Sequence, residues 1–497
     1  MTSHGRVIIV SNRLPFTVHA NDDRITLTTA AGGLANGLRA FHEAADSLWV
    51  GWPGDASSIP RSRRAAVTRH LHDRRIVPVH LGHAEAKAYY DGVCNGVIWP
   101  LFHYLTDRLP LDPGEWSAYC EVNERFAAAV AREYRDGDVV WIHDYHLLLV
   151  PGLLRAHLRG AAIGFFLHIP FPAADVFRII PWRREILAGL LGANVIGFHT
   201  ADYASHFIDA VRSLTALEIA DNKVYANDHP VEIGVYPMGV DAASFTRMAD
   251  DADVLAEYRG IASSHQHILL GVDRLDYTKG ILRRLLAYER LLRDNPDMRG
   301  RVRLIQVAVP SRGCVASYQR FRQELDELVG RINGDHGTLE WTPIRYLHQA
   351  VSRKQLVALY RLADVMLVTP LRDGMNLVAK EFIASRADGD GVLVLSEFAG
   401  AASELPEAVS VNPYDIDELT ARMKGALTME MPERRQRMAA LRQRVAATDV
   451  YWWAATFLRD VEDAAFGNHC PTAARAYDSR LVTDSLSVVI PSALTLM

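Results

Sequence analysis

Residues 268–293 read Ile268-Leu269-Leu270-Gly271-Val272, then Asp273-Arg274-Leu275-Asp276-Tyr277-Thr278-Lys279-Gly280, then Ile281-Leu282-Arg283-Arg284-Leu285-Leu286-Ala287-Tyr288-Glu289-Arg290-Leu291-Leu292-Arg293. The first run is apolar without alternation, as expected for a strand covered on both faces in a parallel sheet. The last run carries its apolar residues at helical spacing, and a polar turn joins the two. Strand, turn, helix is the repeating unit of doubly wound α/β folds. The same pattern recurs along the chain. Val7–Val10, Val139–Ile142, Ile163–Leu167 and Val195–Phe198 predict strands in the first half; Val302–Val307, Val365–Thr369 and Val392–Leu395 predict strands in the second. Glu121–Tyr134, Tyr318–Arg331 and Ser352–Leu362 predict helices between them. The fold class is therefore α/β, with two Rossmann-like, doubly wound parallel-sheet domains.

The pattern is punctuated at Tyr236-Pro237-Met238-Gly239-Val240-Asp241, before a polar acidic stretch. An N-terminal domain is expected over 1–240 and a C-terminal domain over 241–450. A further helix, rich in Trp452, Trp453 and Phe457, is placed at 451–466 and expected to pack back on the N-terminal domain. Residues 467–497 form a variable tail. With 49% hydrophobic residues in 497, each half can bury a core, and a net charge of −5 gives no general attraction to nucleic acid or anionic membrane. The apolar run Val7–Val10 is shorter than a signal peptide needs, and none approaches the ~20 residues of a membrane span. Cys94, Cys120, Cys314 and Cys470 form no C-x-x-C pair, so reduced thiols in a soluble, cytoplasmic protein are expected.

Chemistry-bearing residues cluster just past the strands, where doubly wound folds bind ligands. Val7–Val10 runs into Ser11-Asn12-Arg13-Leu14-Pro15, and Gly32-Gly33-Leu34 follows. Arg13 offers a planar fork to a phosphate, and the double glycine lets backbone N–H groups approach one. A strand-exit salt bridge and an ordinary turn are the competing reading. In Trp141-Ile142-His143-Asp144-Tyr145-His146, the histidine spacing could suggest a metal, but no third ligand is evident, and Asp144 could instead hold sugar hydroxyls. Phe166-Leu167-His168-Ile169-Pro170 places a histidine at another strand exit; a satisfied core histidine is the alternative. Arg274 and Lys279 flank a turn where two cations can converge on a diphosphate leaving group, or stand as unrelated charges in a solvated loop. Pro310-Ser311-Arg312-Gly313 puts another arginine after a strand. Thr369-Pro370-Leu371-Arg372-Asp373-Gly374-Met375-Asn376-Leu377-Val378-Ala379-Lys380-Glu381 passes from strand through a glycine turn into a helix whose first N–H groups suit an anion. Asp373 could bind a sugar hydroxyl or simply cap the helix, and Glu381 could bind a ribose. The triplets Asp136/Asp138, Asp251/Asp253 and Asp388/Asp390 lie at no clear strand end, so no metal and no cofactor are expected. Both G-x-G-x-x-G and the Walker pattern are absent.

Together with Trp99-Pro100-Leu101-Phe102-His103-Tyr104, these segments resemble, in order, the family-20 retaining glycosyltransferases of GT-B fold, the trehalose-6-phosphate synthases. The resemblance runs from about Val7 to about Leu458. It implies an active site in the interdomain cleft that joins a nucleotide-glucose, UDP-glucose above all, to glucose 6-phosphate. It also implies that Arg13, Tyr90 and Arg312 grip the acceptor phosphate, and that Trp52, Trp99 and Asp144 position the acceptor glucose. Gly33 would contact the donor diphosphate, and His168 the donor glucose. Arg274 and Lys279 would neutralise the diphosphate. Asp373 would bind donor hydroxyls, Glu381 the ribose, and the backbone at Met375, Asn376 and Leu377 the phosphates. Arg274, Lys279, His168 and Asp144 form the implied catalytic set.

The family is thought to lack a carboxylate nucleophile, so the resemblance implies a metal-independent front-face route with retention, in which the departing phosphate takes the acceptor proton. It further implies a homo-oligomer, dimer or tetramer, without nucleic-acid or membrane partners. Two rivals remain: a non-catalytic sugar-phosphate sensor on the same fold, and a related transferase making another glycoside or pseudo-glycoside.

Overall fold

The computed structural model describes residues 5–20, 25–29, 38–39, 41–43, 46–54, 61–110, 115–226, 229–261, 266–311 and 316–467. Gly33, Arg312, Cys314 and the tail from 468 lie outside the described residues. By its contacts the chain divides into two compact units, Met1–Tyr236 with Tyr451–Met497, and Pro237–Val450.

The strands are β1 Val7–Arg13, β2 Phe16–Ala20, β3 Ile25–Thr29, β4 Ser47–Trp52, β5 Ile76–Pro78, β6 Val139–His143, β7 Ala162–Phe166, β8 Val195–Phe198, β9 Glu218–Ala220, β10 Lys223–Ala226 and β11 His229–Val235 in the first unit. The second unit holds β12 His267–Arg274, β13 Val302–Val309, β14 Ile344–Leu347, β15 Val365–Val368, β16 Val392–Ser396 and β17 Val409–Val411. The larger sheet has the order β5-β4-β1-β6-β7-β8-β11-β10-β9, the smaller β14-β13-β12-β15-β16-β17, and β2 and β3 form a separate antiparallel pair. In both sheets the chain first builds outward on one side of its opening strand, then returns to build on the other. The order therefore reverses between β1 and β6, and again between β12 and β15. At such a point adjacent loops leave toward opposite faces, opening a crevice at the carboxyl ends of the strands.

The expectation of wholly parallel sheets needs correction at one edge. β10 runs antiparallel to β11, and β9 antiparallel to β10. A two-residue turn, Asp221-Asn222, joins β9 to β10, and both residues have positive φ, 50° and 59°. That is the backbone of a type I′ hairpin, whose twist suits antiparallel strands. Asp and Asn tolerate it because their short side chains bond locally.

Small residues in the larger sheet are explained by a helix from the far end of the chain. Helix Val450–Phe466 lays Trp453, Phe457 and Val461, all buried, against β6, β7 and β8. Trp453 and Phe457 lie 4.9 Å and 5.6 Å from Trp141, ring centre to ring centre. A Cβ on Gly164 would stand 2.6 Å from Val461 and 2.7 Å from Phe457; one on Gly197 would stand 2.7 Å from Phe457. Glycine at these mid-strand positions, normally weakening, opens the groove in which the helix sits.

Helix starts follow local chemistry. Ser352 and Gln355 form a reciprocal capping box at helix Arg353–Leu362. Gly280, at φ 67°, turns the chain from β12 into helix Ile281–Asp294, and a Cβ there would lie 2.1 Å from the Thr369 carbonyl oxygen. Among the described residues no helix is long and apolar enough to cross a membrane.

Candidate functional site

In the first unit the order reversal brings the ends of β1, β4, β6 and β7 together. Arg13 closes β1, and Trp52, its register partner, closes β4. The Arg13 guanidinium lies 3.9 Å from the Trp52 ring centre and 5.5 Å from that of Tyr90, a cation held on two aromatic faces. Although Arg13 reaches solvent, the surrounding wall desolvates its guanidinium and lowers its pKa, while Tyr90, Tyr89 and Asp91 oppose the shift. Tyr90 belongs to a π-helix, Lys87–Ile98, that leads into Trp99. So long a π-helix is rare and such turns mark functional sites, yet nothing in the apolar spacing announced it.

The aromatic wall continues inward. Tyr90 stacks on His146 at 5.7 Å, His146 packs on Tyr145 at 3.9 Å, and Tyr145 lies 5.7 Å from Trp99. Asp144 follows β6 with φ 75°. Its N–H donates to the Phe166 carbonyl at 2.8 Å. Its Oδ1 accepts from the His168 N–H at 3.3 Å, and its Oδ2 stands 3.9 Å from His146 Nδ1. The ring of His168 is 3.1 Å from His143 Nδ1 through its own Nε2. Burial, then His143 and His199, push the His168 pKa well below the ordinary imidazole value, so the ring is neutral.

In the second unit the reversal between β12 and β15 gathers another set. Arg274 closes β12 and is exposed. Lys279 Nζ donates to Asp373 Oδ2 at 2.5 Å, and Asn376 Nδ2 donates to the same oxygen at 3.0 Å. Asn376 precedes helix Leu377–Ser385 with φ 77°, and its side chain does not cap that helix. Asn376, not Asp373, holds the N-cap position of that helix, and Asp373 bonds Lys279. The Asp373 turn is clamped by backbone: Asp373 N–H to Phe398 O at 3.0 Å, Gly400 N–H to Asp373 O at 3.1 Å, and Ala401 N–H to Met375 O at 2.8 Å. Met375 itself is buried in the core. One turn further, Glu381 accepts from the Tyr360 hydroxyl at 2.8 Å, and burial raises its pKa to about 6 against the opposing pull of Tyr360 and Arg353.

Supports that the sequence did not single out lie beneath these residues. Arg284, fully buried, bonds Asp273 at 2.6 Å, Gln306 at 2.9 Å and Thr369 at 3.0 Å, tying β12, β13 and β15. Asp276 accepts from Thr278 N at 3.0 Å and from the Tyr318 hydroxyl at 2.9 Å, which shapes the loop carrying Lys279. The acidic triplets serve elsewhere: Asp138 pairs with Arg6, Asp253 with Lys354, Asp388 with Arg386 and Asp390 with Arg434. His143 and His146 part company, one toward His168 and the other toward Tyr90, and among the described residues no group of three or more His, Cys, Asp or Glu is arranged to hold a metal.

One order reversal is lined with Arg13, Trp52, Tyr90, Asp144 and His168, and the other with Arg274, Lys279, Asp373 and Asn376. Residues 5–463 fit the family described as Glycosyltransferase family 20. The chain belongs to glycosyltransferase family 20. Among its family-20 relatives, the alpha,alpha-trehalose-phosphate synthase [UDP-forming] A of Dictyostelium discoideum is 41% identical over 465 residues, which cover 93% of this chain and 63% of that protein. The chain thus spans less than two thirds of that relative. A solved structure from E. coli bound with UDP-2-fluoro glucose superimposes with a TM-score of 0.80 at 36% identity, covering 92% of this chain and 99% of the other. An alpha,alpha-trehalose-phosphate synthase (UDP-forming) from Burkholderia xenovorans in complex with glucose-6-phosphate gives 0.81 at 35% identity, covering 92% and 100%. The two Rossmann-like sheets of this family-20 chain are those of the GT-B fold.

Proposed function

We propose that this chain transfers glucose from UDP-glucose to glucose 6-phosphate with retention of configuration, giving α,α-trehalose 6-phosphate and UDP. The observation that carries the reading is the meeting, at the β12/β15 reversal, of Lys279 and Asp373 from strand exits far apart in sequence, 2.5 Å from each other and beside a helix start. A cation, a carboxylate and free helix N–H groups together suit a sugar diphosphate, whose one end is anionic and whose other end is a polyol. Family-20 relatives named as UDP-forming synthases support the same substrates.

In this reading Arg13, backed by Trp52 and Tyr90, binds the phosphate of glucose 6-phosphate with Arg312, and Trp99 and Asp144 orient its glucose. His168, neutral, donates a hydrogen bond to the donor glucose rather than a proton. Arg274 and Lys279, with Gly33 and the backbone at Met375, Asn376 and Leu377, take up the charge that grows on the diphosphate, while Asp373 holds donor hydroxyls and Glu381 the ribose. Asp144, the carboxylate at the His168 loop, already accepts the His168 N–H. The attack we propose is front-face, with the acceptor proton passing to the departing phosphate and no covalent glycosyl intermediate. No divalent metal is needed for the cationic wall to act, and turnover should survive chelation. We assign the enzyme to the cytoplasm, as a dimer or tetramer.

The deciding experiment incubates the full chain with glucose 6-phosphate and, separately, UDP-, ADP- and GDP-glucose, and follows nucleoside diphosphate and disaccharide phosphate by NMR. Release of UDP with an α,α-linked product is expected. Binding of both substrates without any release would instead establish a sensor. Arg274→Ala should lower turnover by ~10²–10³-fold with the fold intact.

A further inference from the structure

The imidazole of His143 has no part in the reading above, yet it is enclosed at the heart of the first unit. It ends β6, is fully buried, and lies 4.5 Å from the ring of Trp141 and 6.3 Å from that of Trp453. Its Nδ1 faces Nε2 of His168 at 3.1 Å. Two ring nitrogens at that distance need one donor and one acceptor, so at least the accepting ring is neutral and the protonation of the two is coupled. Burial alone holds the His143 pKa down to about 3, and His168 is lowered further by its histidine neighbours, in keeping with a neutral pair.

The direction of the bond follows from the other nitrogen of His143. Its Nε2 is buried and meets no hydrogen-bond partner among the described residues. Were His168 the donor, the His143 proton would sit on that nitrogen, a buried N–H with no acceptor among the described residues. Buried orphan N–H groups are rarer than under-used acceptors. We propose that His143 is a positioning residue that fixes His168 in one tautomer: Nδ1–H of His143 donates to Nε2 of His168, leaving the Nδ1–H of His168 as the donor that meets an oxygen of the sugar. The placing of His168 at the donor sugar rests on the proposed function; the tautomer does not. Adjacent residues of one strand exit thereby hold both parts of His168, Asp144 its backbone N–H and His143 its ring.

The test uses isotope-labelled histidine in the full chain, with a His168→Gln spectrum to identify the His168 signals among the 20 histidines. A pyrrole-type Nδ1 and a pyridine-type Nε2 are expected at His168. His143→Asn, whose amide can still donate from a similar place, keeps that tautomer and stays within about tenfold of the parent kcat. His143→Leu mixes the tautomers and lowers kcat about 10- to 100-fold, the usual effect of losing a group that orients an imidazole, with the KM for glucose 6-phosphate unchanged. A pyrrole-type Nε2 in the parent overturns the proposal, as does a Leu variant that turns over normally or loses activity without a tautomer change at His168. If the Leu variant does not fold, the parent spectrum decides alone. A parent that transfers no sugar would defeat the functional reading while the spectrum still answers for His143.

Discussion

Glu381 shows how burial can set one residue against stability. Its carboxyl ionises near pH 6 in the fold instead of the ordinary 4.5, because burial disfavours the charge. Between those values the folded chain holds a proton that the unfolded chain has lost, so stability falls as pH rises through this window. Above it the penalty amounts to about 2 kcal/mol at most, since part of the side chain remains open to screening water. Glu381→Gln should therefore raise stability by about 1–2 kcal/mol at pH 7.5 and leave it unchanged at pH 4, read from urea melts at both pH values. The Tyr360 hydroxyl can still donate to the new amide oxygen, so packing is kept. At the other site, Arg13→Ala should raise the KM for glucose 6-phosphate about 10- to 100-fold, equivalent to about one charge-assisted hydrogen bond. An unchanged KM would move the acceptor phosphate elsewhere.

At the scale of elements, turns carry the site and glycines make the turns possible. A Cβ on Gly400 would stand 2.0 Å from the Gly374 carbonyl oxygen, inside the clamp that holds the Asp373 turn against β16. Gly400→Ala should cost about 1–3 kcal/mol, as overpacking does, and weaken the nucleotide-sugar far more than glucose 6-phosphate. Equal losses in both KM values would show that the clamp does not act locally. Strands with both faces covered, such as β6, β15 and β16, were legible as unbroken apolar runs. β4 was not, because Ser47-Leu48-Trp49-Val50-Gly51-Trp52 mixes glycine and tryptophan into its run. The Asp221-Asn222 hairpin was also missed, though a pair of residues that tolerate positive φ was there to be read. The π-helix at Lys87–Ile98 has no comparable signal, since its hydrogen-bond register depends on what packs around it.

For the whole molecule, the path of the chain matters more than either sheet. The second unit is one uninterrupted segment, Pro237–Val450, whereas the first is completed by residues after Val450. Residues 237–450 expressed alone should fold cooperatively, because the core around β12, β15 and β16 draws only on that segment. Residues 1–236 alone should not, because the buried faces of Trp141, Gly164 and Gly197 would lose Trp453 and Phe457. Adding a peptide of residues 450–467 should restore cooperative melting to the first unit; failure to do so would mean that the helix is dispensable.

The sequence by itself determined the strand-turn-helix repeat, the fold class and the identity of the strand-exit residues, because apolar periodicity and special residues at turns are local properties. It also carried the family resemblance, since short motifs keep their order along the chain. Only the tertiary structure decided that Lys279 bonds Asp373, that Arg13 rests on Trp52 and Tyr90, and that His143 faces His168. Those contacts join segments far apart in the chain, and their geometry is set by the order of strands in a sheet, which no local pattern of residues encodes.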